Sequence, residues 1–440
     1  MKLKFFQLID WIMLLCVLLL AVTGIFFIYS SAINQQGQLV TKEYAKQIIW
    51  VSLGLVLLIV AAIYDYRNFE RYISIVFGVL IILLILTRIF GKTINGAKSW
   101  LGIGEFGIQP SEFGKIVYIL FLGWYFHKTE ELAERKRFLG ALGIMVFTMG
   151  LILIQPDLGT ASVYIPIFFF MCFAAGVPLR YILGILSFGM LTIFIAILPV
   201  WQDQIAGHTY AILSILTVKK IRVLFTLGFG AITLVGLLGM IFFRHNKYYY
   251  WITYASAIIF GALVCSLAVT KVLKPYQIQR LIIFLDPYTD KQGSGWNIIQ
   301  SKTAIGAGGF FGKGFLRGTQ SHLRFLPEQS TDFIFSILSE EAGFLGGFTV
   351  FFLYFILMGR MILIIRRTTN HYGYYVASGI LGLFFFHFMV NVGMVMGVMP
   401  ITGIPLLFLS YGGSSMWTAM VCVGIMMSVN YRHFAFMHQE

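Results

Sequence analysis

Apolar runs long enough to cross a bilayer recur from one end of this chain to the other. They lie near 9–30, 46–64, 72–90, 112–127, 137–155, 160–177, 181–200, 221–243, 250–272, 333–359, 373–398 and 404–430. A helix needs about 20 residues to span the hydrocarbon core, and in lipid only helices and closed barrels satisfy their own backbone. The runs do not alternate apolar with polar residues as barrel strands do, so the chain reads as an all-α polytopic membrane protein. Charged residues make up only 11% and mean hydropathy is +0.85, whereas soluble domains carry about 25% charge. The run from Glu112 is the shortest of the twelve, and its first turn carries charge.

The formal net charge of +14 fits Lys and Arg gathered in cytoplasmic loops rather than nucleic-acid binding, because no basic stripe lies on a soluble domain. Lys2 and Lys4, Arg67 and Arg71, the segment HKTEELAERKRF (127–138), Arg244 and Lys247, and Arg360, Arg366 and Arg367 mark loops of one parity. With both termini cytoplasmic, all of these fall inside. Lys219, Lys220 and Arg222 would then lie outside and break the rule. Four cysteines, Cys16, Cys172, Cys265 and Cys422, stand singly in apolar runs. No disulfide and no zinc site is expected. The basic start precedes an apolar run too long for a signal-peptide core, so it reads as a retained first helix.

This topology places GKTINGAKSWLGIGEFGIQPSE, the QPDLG turn and the stretch 274–331 outside the cell. The last is the longest segment without a span, and its Phe, Leu and Ile content predicts short helices on the outer leaflet.

Ionisable groups at membrane depth are costly and mark cavities or pathways. In FLPEQSTDFIFSILSEE (325–341), Ser336, Ser339 and Glu340 follow Asp332 at spacings of four, seven and eight, which is one face of a helix starting at Phe333. Glu341 points about 100° away. Asp332 at the mouth suits either a general base or a helix cap. In QPSEFGK, Pro110 and Ser111 start a helix that puts Glu112 and Lys115 one turn apart, as a functional or a structural pair. Asp157 of QPDLGT suits a cap for the helix that follows. The run AIGAGGFFGKGFLRG (304–318) is no nucleotide loop: Ala307 replaces the first glycine that motif requires, and Gly314 follows Lys313 where Ser or Thr belongs. Lys302, Lys313, Arg317 and Arg324 could instead meet an anionic lipid head group. These residues alone fit a transporter nearly as well as an enzyme.

The motifs NGAKSWLGIGEFGIQPSEFGK, QPDLGTA, QRLIIFLDPYTD, GWNIIQSKTAIGAGGFFGKGFLRGTQSHLRFLPEQSTDFIFSILSEEAGFLGG and NVGMVMGVMPITGIPLLFLSYGGSS run in order over nearly the whole chain. In them the sequence resembles the SEDS family (shape, elongation, division and sporulation), and GTQSHLRFLPE looks like its elongation branch. The resemblance implies one membrane domain over 1–440, a bundle of ten core transmembrane helices. An inserted helix pair at 202–274 would bring the total to about twelve, and a large extracytoplasmic loop would fill 274–331. It implies a peptidoglycan glycosyltransferase of cell-wall elongation and rod shape. Such an enzyme polymerises lipid II at the outer face of the cytoplasmic membrane, with a class B penicillin-binding protein and other elongation-complex proteins as partners. The rival is a lipid II flippase.

Asp332 matches the family's essential aspartate, Glu112 and Lys115 its QPSE-x-x-K pair, and Asp157 its PDLGT aspartate. Arg280, Lys302, Lys313, Gln320 and Glu340 complete the set expected to bind or support substrate. No cofactor is required and no metal ligand is assigned, although magnesium or manganese could assist the diphosphate. Ser330 stands where the family usually has His, and Ile278 where it often has Arg.

Overall fold

The computed structural model describes residues 9–437 apart from 95, 104–105, 203–204, 206–215, 217, 244–246, 273–274, 291–292, 324 and 327. Lys2, Lys4, Arg244 and Arg324, used in the topology and head-group readings above, lie outside the described residues.

Each of the twelve apolar segments is a helix. They are α1 (Trp11–Ser31), α2 (Glu43–Ile63), α3 (Phe69–Phe90), α4 (Pro110–Lys128), α5 (Glu134–Ile154), α6 (Leu158–Ala174), α7 (Leu179–Trp201), α8 (Lys219–Phe242) and α9 (Lys247–Val272). Within the predicted outer loop lie α10 (Pro275–Leu285), α11 (Ser294–Gly308) and the single turn α12 (Thr319–His322). The chain then closes with α13 (Ile334–Arg367), α14 (His371–Val395) and α15 (Gly413–Met437). Among the described residues nine helices are long and apolar enough to cross a membrane, as a multi-pass membrane protein requires.

Three boundaries differ from the sequence reading. The shortest of the twelve is α6, at 17 residues, not the helix that carries Glu112. Helix α13 runs on to Arg367, so Arg360, Arg366 and Arg367 lie on its last turns rather than in a loop. Arg360 there meets Asp10 at 2.6 Å, and Asp10 also caps α1 through the Met13 amide. The last helix starts at Gly413, leaving 404–412 irregular although largely apolar. The loop before α4 holds a three-stranded antiparallel sheet, β1 (Lys92–Ile94), β2 (Ala97–Ile103) and β3 (Phe106–Ile108). Its Lys98 amide donates to the Gln155 carbonyl at 3.1 Å, tying the sheet to the QPDLG turn.

The chain divides into two compact units, one of residues 178–296 and one of residues 1–177 with 297–440. In the first, α7, α8 and α9 close around Ile195, Ala262 and Leu263, with Thr233 and Ser256 hydrogen-bonded at 3.0 Å. In the second, α14 is the central helix: 72% of its apolar stretch is buried, against 28% for α2 and for α13. Helices α4 and α6 pack on α14, α1 packs on α13, and α2 packs on α15.

At one end of this unit Asp65, between α2 and α3, meets Arg67 at 2.7 Å and Arg432 of α15 at 3.1 Å. Burial raises its carboxyl, but the hydrogen bonds of Arg67 and the charge of Arg432 outweigh that and hold it below the ordinary range. A depressed carboxylate stabilises the fold above its unfolded pKa of about 4, and that contribution disappears as pH falls through the lower folded value. Asp65→Asn should therefore lower the unfolding midpoint in detergent at pH 7, with the difference closing as pH drops below about 4. A difference that persists in acid would contradict the assignment.

Candidate functional site

The irregular segment 399–412 leads into the start of α15, and so organises the end of the unit opposite Asp65 and Arg432. Its residues Leu406 to Leu409 are all but fully buried, and backbone at such depth must find partners inside the protein. Side chains from three helices supply them. His387 Nδ1 donates to the Pro405 carbonyl at 2.9 Å, and Asn391 Nδ2 donates to the Ile404 carbonyl at 2.8 Å. Gln47 of α2 donates to the Ser410 carbonyl at 3.2 Å and accepts from the Gly412 amide at 3.3 Å. The Tyr354 hydroxyl of α13 donates to the Leu407 carbonyl. Helix α1 approaches so closely at Gly24 that a methyl there would lie 2.6 Å from the Leu409 carbonyl oxygen.

Asp332 sits against this segment, half-buried, in the turn that leads into α13. The Glu328 carbonyl accepts from the Asp332 amide at 3.1 Å, and Glu328 itself holds φ +52°. Non-glycine residues seldom adopt that conformation, and it concentrates at functional sites. The Ser330 carbonyl accepts from the Tyr411 amide at 2.8 Å, and the Asp332 carbonyl accepts from Asn391 at 3.1 Å. A methyl built on Gly403 would lie 3.4 Å from Asp332 Oδ2, so loop and carboxylate are neighbours. Asp332 is not the helix cap: α13 starts at Ile334, its cap position is Phe333, and no side chain caps it.

Glu112 and Lys115 are enclosed. Lys115 Nζ donates to Glu112 Oε1 at 2.6 Å and lies 3.2 Å from His387 Nε2. Pro at the first position of α4 and an acid in its first turn both suit a helix start. With Nδ1–H committed to Pro405, the His387 Nε2 lone pair faces the ammonium, so the imidazole there is the neutral tautomer. Asp157 caps α6 through the Thr160 amide at 3.0 Å and accepts from Gln109 Nε2 at 2.7 Å, joining the two Pro-containing turns. The capping reading of Asp157 is what the geometry displays.

The polar stripe predicted below Asp332 does not stay together. Ser336 pairs with Ser301 of α11 at 2.7 Å. Glu340, fully buried, meets Lys313 at 2.8 Å and accepts from the Thr319 amide at 2.8 Å, the Thr319 hydroxyl at 2.9 Å and the Gln320 amide at 3.1 Å. Glu341 accepts from the Ser30 hydroxyl of α1 and from the Leu316 amide, with His322 3.8 Å away. The glycine run of 304–318 is thereby clamped to α13, backbone against backbone. Gly343, at φ +66° inside α13, is one of the close approaches, where a methyl would strike the Gly312 amide. Lys313 and Gln320 thus belong to a loop latch rather than standing open. Lys302 is exposed, its stem against Gly397 at the end of α14, and Arg280 is half-buried in the 178–296 unit.

Among the described residues no group of three or more His, Cys, Asp or Glu side chains could hold a metal ion. His387 and Asn391 were missed by sequence reasoning, although two polar residues four apart in FFFHFMVNVGM are a readable signal.

The family model described as Cell cycle protein (FtsW, RodA, SpoVE) matches residues 10–211 and 203–434. The peptidoglycan glycosyltransferase RodA of Treponema pallidum (strain Nichols) is 50% identical over 423 residues, covering 96% of this chain and 98% of that protein. The peptidoglycan glycosyltransferase MrdB of Escherichia coli (strain K12) is 31% identical, covering 96% and 93%. A solved peptidoglycan synthase complex, described as coordinating polymerization and crosslinking, contains a chain of TM-score 0.67 and 25% identity, covering 97% of this chain and 98% of that one. The rod shape determining protein RodA of Thermus thermophilus shares the fold at TM-score 0.60 and 21% identity, covering 97% of each chain.

Glu340→Gln keeps the shape of the latch but removes its charge and one acceptor. It should cost roughly 2 kcal/mol and speed proteolytic cleavage within 309–323. Cleavage at the unaltered rate would show that the latch does not hold the loop.

Proposed function

Because this chain belongs to the FtsW/RodA/SpoVE family and is a peptidoglycan glycosyltransferase, we propose that it polymerises lipid II into β-1,4 glycan with Asp332 as the general base. The observation that carries this reading is a contrast among the carboxylates. Glu112, Glu340 and Glu341 are enclosed and Asp157 is committed to a cap. Asp332 is half-exposed, on a turn fixed at both flanking carbonyls.

In the proposed step the 4-hydroxyl of an acceptor GlcNAc attacks C1 of a donor MurNAc. The bond from C1 to the diphosphate oxygen breaks, and undecaprenyl diphosphate leaves with that electron pair. Asp332 takes the hydroxyl proton, which compensates for the poor nucleophilicity of a neutral alcohol. One displacement converts the α-linked donor into a β-linked product. Negative charge grows on the leaving diphosphate, and exposed Lys302 lies in the same unit as Asp332 to receive it, while Lys313 is engaged by Glu340. Arg280 is proposed on the resemblance alone. Lys115 is too enclosed to meet the diphosphate directly and instead fixes Glu112 and His387. A divalent cation, where used, would arrive with the diphosphate.

We place Asp332 on the outer face of the cytoplasmic membrane with both termini inside, in keeping with the basic residues near the opposite helix ends. Cross-linking would come from a class B penicillin-binding protein; the similarity to a chain of a polymerising and crosslinking complex supports this.

With purified protein, partner and lipid II, the wild type should yield glycan polymer on a gel. Asp332→Asn should reduce turnover by at least about 100-fold without loss of folded protein. Polymer at the wild-type rate from Asp332→Asn would remove the base assignment. No wild-type polymer, with lipid II crossing liposomes in both proteins, would replace the polymerase with a flippase.

A further inference from the structure

Helix α14 presents two polar side chains one turn apart to the site. Asn391 Nδ2 reaches both the Asp332 carbonyl at 3.1 Å and the Ile404 carbonyl at 2.8 Å. His387 reaches the Pro405 carbonyl at 2.9 Å on one ring nitrogen and Lys115 Nζ at 3.2 Å on the other. Residues four apart share a helix face. One rigid, buried helix therefore grips the turn that carries Asp332, the loop that flanks its carboxylate, and the enclosed pair of α4.

We propose that His387 and Asn391 are positioning residues that couple the Glu112–Lys115 pair to Asp332 and set the aim of its carboxylate. The inference rests on the reading of Asp332 as general base. Lys115 has no solvent to hold it, with 1% exposure, so its placement depends on Glu112 and His387. His387 passes that placement to Pro405, Asn391 ties neighbouring Ile404 to Asp332, and Gly403 lies beside the carboxylate, where an added methyl would stand 3.4 Å from Asp332 Oδ2. This explains why a charged pair is retained where apolar packing would cost less. It also gives the pair a use that needs no contact with substrate. A displacement of about 1 Å at a reacting group can cost on the order of 100-fold in rate.

Asn391→Leu keeps the branching of the side chain, adds some volume and removes the donor. In lipid II polymerisation by the protein with its partner, kcat should fall about 10- to 100-fold while KM for lipid II stays within about twofold of wild type. His387→Leu should act the same way. His387→Gln should recover most of the loss, because the amide nitrogen and oxygen are spaced like the two ring nitrogens and can donate to Pro405 while accepting from Lys115. The double variant of His387→Leu with Lys115→Met should be no slower than the worse single variant, since the two act through one connection. Each preparation is checked by size exclusion and unfolding midpoint. Should Asn391→Leu fail to fold, the His387→Leu and His387→Gln pair decides the matter. Unchanged kcat in Asn391→Leu or His387→Leu would overturn the inference. So would a loss expressed in KM, failure of His387→Gln to recover activity, or additive effects in the double variant. A wild type that forms no polymer would instead defeat the glycosyltransferase reading on which the inference stands.

Discussion

A backbone amide or carbonyl buried without a partner costs several kcal/mol in an apolar phase, and this constraint governs how the site end of the molecule is built. Helices satisfy themselves. The segment 399–412 does not, yet its residues Leu406 to Ser410 are buried. Its carbonyls are met by Gln47, Tyr354, His387 and Asn391, which come from α2, α13 and α14. Once those helices are fixed by the loop, so is the Asp332 turn, because Tyr411 and Asn391 hold its carbonyls on either side. Irregular backbone at membrane depth is the device that lets a polar centre exist there.

The carboxylates divide by the way their charge is compensated. Glu112 has a lysine within 2.6 Å and a helix N-terminus behind it. Glu340 collects one ammonium, one hydroxyl and two backbone amides, and Glu341 draws on α1 and the loop. Adjacent in sequence but turned about 100° apart on α13, these two acids clamp the glycine-rich loop along both sides of one helix. Glycine is needed there because backbone meets backbone at Gly343 and Gly312. Asp332 differs in kind: the protein fixes its main chain and leaves its carboxylate half-exposed.

The helices were legible because length and hydropathy alone make them, and the candidate acids because charge is scarce in such a chain. The 404–412 segment was not. It was read as part of a span for its Leu, Ile and Phe, although Pro405 and Gly412 are helix breakers, and the partners that meet its carbonyls, such as Gln47, lie more than 350 residues away in sequence. Helical phase grouped Ser336, Ser339 and Glu340 as one stripe below Asp332. It could not show that α11 folds back to meet Ser336 and the 309–323 loop to meet Glu340. The β-sheet at 92–108 was hidden by its short strands. His387 and Asn391 were overlooked because neutral polar residues inside an apolar run read as ordinary core until their partners are seen.

The most direct test asks whether Asp332 faces the outside of the cell and touches substrate. A chain with Cys16, Cys172, Cys265 and Cys422 replaced, bearing Asp332→Cys, would be exposed to a membrane-impermeant thiol reagent in spheroplasts and in inverted vesicles. Labelling in spheroplasts that lipid II suppresses is the result predicted here. Labelling only in inverted vesicles, or labelling that lipid II leaves unchanged, would contradict the placement of Asp332 at an outward-facing polymerisation site.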